Sequence, residues 1–170
     1  CIAGSATYSA NSVVLSGGTG GWTSDNTAVA TVVSSTGVVT AVGAGTCNII
    51  YTVTGGCGGT VSSQQSITVN PSLPASVTIS ASTASTICSG TSVTFTAIGT
   101  NGGATPIYQC KLNGLNVGTN SVTYTNAALS NGDTISLEMT SSATPCLTGS
   151  PATSNTVTMN VNATPVAPVL

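Results

Sequence analysis

The sequence predicts an all-β chain folded as two tandem antiparallel β-sandwich modules, on three observations. Short β-branched runs bounded by Gly, Ser, Asn or Pro recur from one end to the other, and no amphipathic helical stretch interrupts them. The segments ITVNPSLPASV at 67–77 and MNVNATPVAPV at 159–169 resemble each other, so a strand running into a Pro-punctuated linker occurs twice. Asn-Gly pairs beginning at Asn101, Asn113 and Asn131 supply residues that tolerate positive φ, as tight hairpin turns require.

The first module, 1–72, is expected to hold strands at SVVLS (12–16), AVATVV (28–33), GVVTAV (37–42), CNIIYTV (47–53) and SITVN (66–70), with SSTG at 34–37 as a hairpin turn. The second, 73–162, is expected to hold SVTIS (76–80), SVTFTAI (92–98), IYQCKL (107–112), SVTYT (121–125), TISLEMT (134–140) and NTVTMNV (155–161). Residues 163–170 then form a linker or the first strand of a next module. The strand SVTIS precedes Cys88, whereas the first module opens directly on Cys1. A missing opening strand and a spare closing one predict head-to-tail continuation, either along one longer polypeptide or by insertion of 163–170 into a neighbouring copy.

Charge is the scarce commodity. Only 2% of residues are charged and there is no His, where an ordinary soluble domain carries about 25% charged residues. Ser, Thr, Asn and 20 glycines solvate the surface without a field that would steer nucleic acid, so no nucleic-acid partner is expected. No apolar run approaches the roughly 18–20 residues of a membrane-spanning helix, and no membrane insertion is expected. Nucleophilic catalysis needs a base beside the nucleophile, and with no His and one Lys no enzyme is expected. Asp133 and Glu138, on or beside one strand, fall on opposite faces and make no carboxylate pair. Asp25 stands apart from both, no Asp-rich loop offers a calcium cage, and no cofactor is expected.

Six cysteines without CxxC pairs or histidines indicate disulfides and an oxidising, extracellular setting. Cys1 and Cys57 stand nearly as far apart as Cys88 and Cys146, which predicts one bond per module, each joining an early strand to a late one. Loops of that size would each contribute about 4 kcal/mol in the chain-entropy account. Cys47 and Cys110 remain, one inside a strand of each module. Three readings stay open: a cross-link between modules or chains, a Cys47–Cys57 bond across one hairpin, and buried thiols acting as small hydrophobes.

WTSDNTAVATV at 22–32 and TGVVTAVGAGTCNIIYTV at 36–53 together resemble the bacterial immunoglobulin-like repeat of group 2. In the second module, ICSGTSVTFTA at 87–97, PIYQCKLNGLNVGTNSVTY at 106–124, LSNGDTISLEMTSSATPC at 129–146 and SNTVTMNV at 154–161 resemble the immunoglobulin-like or PKD-like repeats of giant secreted surface adhesins of Bacteroidota. The resemblance implies tandem Ig-like sandwiches displayed outside the cell, on its surface. Cys47 stands where the group 2 repeat carries a small residue such as Ala, and Cys110 where relatives of the second module carry a core Trp. Two unusual cysteines together favour the cross-link. The same likeness puts Trp22 at a strand start, as core or rim. Asp133-Thr134-Ile135 resembles the O-glycosylation motif of Bacteroidota, which makes Thr134 a candidate acceptor, and Asn162-Ala163-Thr164 is a formal sequon. Lys111 and Glu138 admit an isopeptide reading, against which an ordinary cross-strand ion pair is much the stronger.

The expected function is therefore a structural repeat unit of an extracellular bacterial fibre, sheath or long surface adhesin, assembling head to tail and stabilised by disulfides. Its partners are other copies or neighbouring repeats, with surface glycans as a second class. The sheet edges support this, because solitary proteins guard edges with Lys, Glu or inward charges and this chain has almost none. The alternative is a carbohydrate- or protein-binding module of a secreted adhesin or enzyme. That reading predicts an exposed aromatic cluster, which one Trp, one Phe and four Tyr supply thinly.

Overall fold

A computed structural model describes residues 1–165, and no helix occurs among the described residues. The chain divides into two compact units, Cys1–Ser72 and Leu73–Leu170.

The first unit contains β1 (Ser5–Thr7), β2 (Thr19–Ser24), β3 (Ala30–Val32), β4 (Val38–Ala41), β5 (Gly45–Gly56) and β6 (Gly59–Val69). They form two three-stranded antiparallel sheets, ordered β1-β4-β3 and β2-β5-β6. The alternation Cys47, Ile49, Val53 on β5 turns one face inward, where the first two meet Val29, Ala30, Val39 and Val69 in a buried cluster. Each large aliphatic side chain removed from water there contributes about 1.5–3 kcal/mol. Gly37, at φ 70°, closes the β3–β4 hairpin and lies against the Trp22 indole, so it has both a backbone and a space requirement.

The second unit contains β7 (Leu73–Pro74), β8 (Ser76–Ala81), β9 (Thr86–Cys88), β10 (Val93–Thr100), β11 (Ile107–Leu112), β12 (Leu115–Val117), β13 (Thr123–Asn126), β14 (Thr134–Thr140), β15 (Leu147–Thr148), β16 (Ala152–Thr153), β17 (Val157–Thr158) and β18 (Asn160–Asn162). Its principal sheets run β8-β10-β13 and β12-β11-β14-β16, with β17 also on β14. Consecutive strands β10 and β11 lie in different sheets, and so do β13 and β14. This arrangement of a three-stranded sheet against a five-stranded one, with its crossings, is that of an immunoglobulin-like sandwich. Short parallel pairs, β15 on β7 and β18 on β9, close the two ends. The inward residues Val77 and Ile79, Val93 and Phe95, and Ile135, Leu137 and Met139 are all buried and fuse into one core. Asn113 at φ 51° and Gly114 at φ 81° make the tight β11–β12 turn expected of an Asn-Gly pair.

Three local expectations change. SVVLS is not a strand: Ser12 and Ser16 both take positive φ, bending the chain at each end of the run, and Val14 is 78% exposed. β2, which carries Trp22, forms a full strand instead, and the short strands β1, β7, β9, β12, β15 and β16 lie outside the expected runs. Of 163–170, expected as a linker or the first strand of a next module, residues 163–165 form no strand, and 166–170 lie outside the described residues.

Candidate functional site

Two features of the first unit stand out, an unpaired sheet edge and an aromatic cleft. The eleven-residue β6 pairs with β5 at ten positions, interrupted by one irregularity at Thr60, and no described strand pairs with its other side. Residues Gly59–Ser66 are all exposed, and GTVSSQQSITV carries neither charge nor Pro. A row of outward N–H and C=O groups on such a strand is a template for another strand.

The cleft, of about 320 Å³, lies between the inner face of β2-β5-β6 and the segment after β1. Register builds it: Trp22 on β2 faces Tyr51 on β5, which faces Ser63 on β6. Trp22 and Tyr51 meet edge-on with ring centroids 4.9 Å apart, and Tyr8 meets Trp22 on the other side at 6.2 Å. The Tyr51 ring lies over Gly20, where any Cβ would collide with it, so the Gly in TGGWTS makes room for the aromatic row. All three rings are half-buried. Asn11, Gln64 and Gln65 bring amides to the rim. The unit's only charged side chain, Asp25, is engaged elsewhere: Oδ1 accepts from the Asn48 backbone N–H at 2.8 Å and Oδ2 from its amide at 2.7 Å. Those two bonds hold the Asp25 carboxyl below its ordinary value.

The cysteines depart from expectation. Cys1 and Cys146 are disulfide-bonded, whereas Cys57 and Cys88 are exposed free thiols, so the Cys1–Cys57 and Cys88–Cys146 pairings do not form. Cys1 sits beside Ala41, Ile67 and Val69, whereas Cys57 caps the opposite end of the long β5–β6 hairpin, about 30 Å away at strand spacing. A disulfide needs Cα atoms within about 7 Å. In the second unit the Cys146 carbonyl accepts from Leu73 N beyond the C-terminal end of β14, while β9 and Cys88 pair with β18 near its N-terminal end. The cross-link favoured for Cys47 and Cys110 is also replaced, as is the Cys47–Cys57 bond: both are free thiols, 3% and 2% exposed, each in the core of its own unit. Burial pushes the Cys110 thiol up, which keeps it protonated and unreactive.

The remaining candidates are structural. Lys111 Nζ donates to Glu138 Oε1 at 2.6 Å, diagonally across β11 and β14. Thr134 donates both its backbone N–H and its hydroxyl to Asn113 Oδ1, at 2.9 and 3.2 Å. Asn113 Nδ2 in turn donates to Asp133 Oδ1, and with the Ser130 N–H this holds the Asp133 carboxyl below its ordinary value. Asn162 of the sequon is exposed on β18. No group of metal-ligating side chains assembles among the described residues. Tyr8, Gln64 and Gln65 escaped notice in the sequence, although Tyr51 shares the inward phase of Cys47 and Ile49, which is the signal that places it beside Trp22.

No family model matches the chain, and no curated protein matches it. Solved structures do. The chain is similar to murine CEACAM1b at 13% identity and TM-score 0.36, covering 90% of this chain and 89% of that one. It is similar to the fibronectin(III)-like modules of Clostridium thermocellum CbhA at 16% identity and TM-score 0.41, covering 94% and 84%. The immunoglobulin-like assignment of the second unit rests on its own strand order and crossings.

Proposed function

We propose that this chain is a structural repeat unit of an extracellular bacterial fibre, sheath or long surface adhesin, continued head to tail and covered along its edges by neighbouring copies. The observation that carries the reading is the free, uncharged, eleven-residue edge of β6. A solitary domain is expected to blunt such an edge, whereas a repeat surrounded by its own kind has a use for it. The disulfide-bonded Cys1 and Cys146 support an oxidising location outside the cell. Ser- and Thr-rich strands with little charge suit close lateral packing, since like-charge repulsion between copies is nearly absent.

Sedimentation velocity over a range of concentrations tests this. Thr60 and Ser66 are exposed on β6, and Thr60→Lys with Ser66→Lys places two cations on the edge. The parent chain should associate increasingly with concentration, and the double variant should stay monomeric with an unchanged melting temperature. A parent chain that is monomeric throughout overturns the reading.

A further inference from the structure

We infer that the aromatic cleft of the first unit is a binding site for a neutral saccharide. Tyr8, Trp22 and Tyr51, drawn from three separate stretches of sequence, line one cleft. A pyranose ring presents an apolar C–H face that packs on aromatic rings, and a rim of hydroxyls that requires hydrogen-bond partners. The cleft offers both kinds of surface. Its volume of about 320 Å³ is at the small end of ligand sites, room for about one or two sugar rings.

Most polar groups of the cleft are uncommitted, the exception being the Gln65 amide, whose Nε2 donates to the Ser66 carbonyl at 3.3 Å. Among the described residues, the Tyr8 and Tyr51 hydroxyls and the Asn11 and Gln64 amides make no hydrogen bond within the protein, and no buried side-chain N or O is left unpaired. These groups therefore face solvent and exchange water for a ligand without breaking a protein contact. An amide places a donor beside an acceptor, which matches adjacent sugar hydroxyls. Proline-rich peptides also seek aromatic grooves but would leave most of these donors unused. Charge narrows the ligand further, because the cleft is lined by no charged side chain and the unit's single carboxylate is bonded to Asn48. Sialylated, uronic or phosphorylated sugars would find no cation to compensate them.

Trp22 is the only tryptophan in the chain, so intrinsic emission reports on the cleft directly. The full chain, held dilute enough to limit association, is titrated with cellotriose, maltotriose, mannotriose and chitotriose, and with sialyllactose, a galacturonic acid trimer and a proline-rich peptide. At least one neutral oligosaccharide should shift the emission saturably, and neither acidic sugar should. Asn11→Ala with Gln64→Ala, at rim positions without protein partners, should weaken binding about tenfold, the effect of losing two modest hydrogen bonds, at unchanged melting temperature. The inference is overturned by silence from every neutral sugar, by an equal response to acidic ones, by affinity indifferent to the double variant, or by the peptide alone saturating the site.

Discussion

Asn155 performs the work of a strand that is not there. Its side-chain Oδ1 accepts from the Ile79 backbone N–H at 2.9 Å and its Nδ2 donates to the Ile79 carbonyl at 3.0 Å, so one amide imitates a peptide group paired with β8. Ile79 lies on the edge of β8-β10-β13 and is 5% exposed. Its outward backbone groups therefore need a partner. Asn155→Ala removes both bonds; at a net 0.5–1.5 kcal/mol each, with water partly repairing the loss, the cost is about 1–3 kcal/mol. For a unit of this size that lowers the melting temperature by about 5–15 °C. Asn155→Asp sharpens the test, because an ionised carboxylate sets like partial charges against the Ile79 carbonyl, while a protonated one can donate to it. The Asp variant should thus lose at least as much as the Ala variant at neutral pH and regain stability relative to the parent as the carboxyl protonates in acid. Urea unfolding at several pH values reads both effects. An Ala variant within about 0.5 kcal/mol of the parent, or an Asp variant whose deficit is independent of pH, would refute the pairing.

Thiol labelling should divide the cysteines: Cys57 and Cys88 react with an aromatic disulfide reagent in the native chain, whereas Cys47 and Cys110 react only on unfolding, as peptide mapping would show. Stability should be nearly flat from about pH 5 to 7, because there is no His to titrate. Below about pH 4 it should fall: the folded-state carboxyls of Asp25 and Asp133 lie below their ordinary value, so their contribution is present above that value and lost as pH drops through the depressed one. Asn48→Ala and Asn113→Gly should each flatten that acid limb in pH-dependent melting. Lys111→Met and Glu138→Gln should each change stability by no more than about 1 kcal/mol, since the pair retains 24% and 35% side-chain exposure, and a larger loss by urea titration would contradict a simple surface pair.

Much of the second unit was legible because its strands obey one rule. TISLEMT alternates Ile135, Leu137 and Met139 inward with polar residues outward, and SVTFTAI does the same with Val93, Phe95 and Ala97. SVVLS is as rich in aliphatic residues as those strands, though its Val13, Val14 and Leu15 run together without alternation, and all three are exposed. Residue preference cannot distinguish a run that finds a partner strand from one bent out at both ends by positive φ. Cysteine spacing misled for a related reason. It counts residues between strands but says nothing about which end of a sandwich each strand reaches, and the length of β5 and β6 puts Cys57 far from Cys1. Cys47 was readable in principle, since it shares the inward phase of Ile49 and Val53. The cleft was less so, because Tyr8 lies in a segment without periodicity and joins Trp22 only through the tertiary fold.

Hydrogen–deuterium exchange along β6, followed from dilute to concentrated chain, probes the proposed assembly surface at the residues concerned. Lateral coverage of the edge predicts that the outward amides between Gly59 and Val69 exchange freely when dilute and become protected as concentration rises, while the β5-facing amides are protected throughout. Outward amides that exchange equally fast at every concentration would contradict the account.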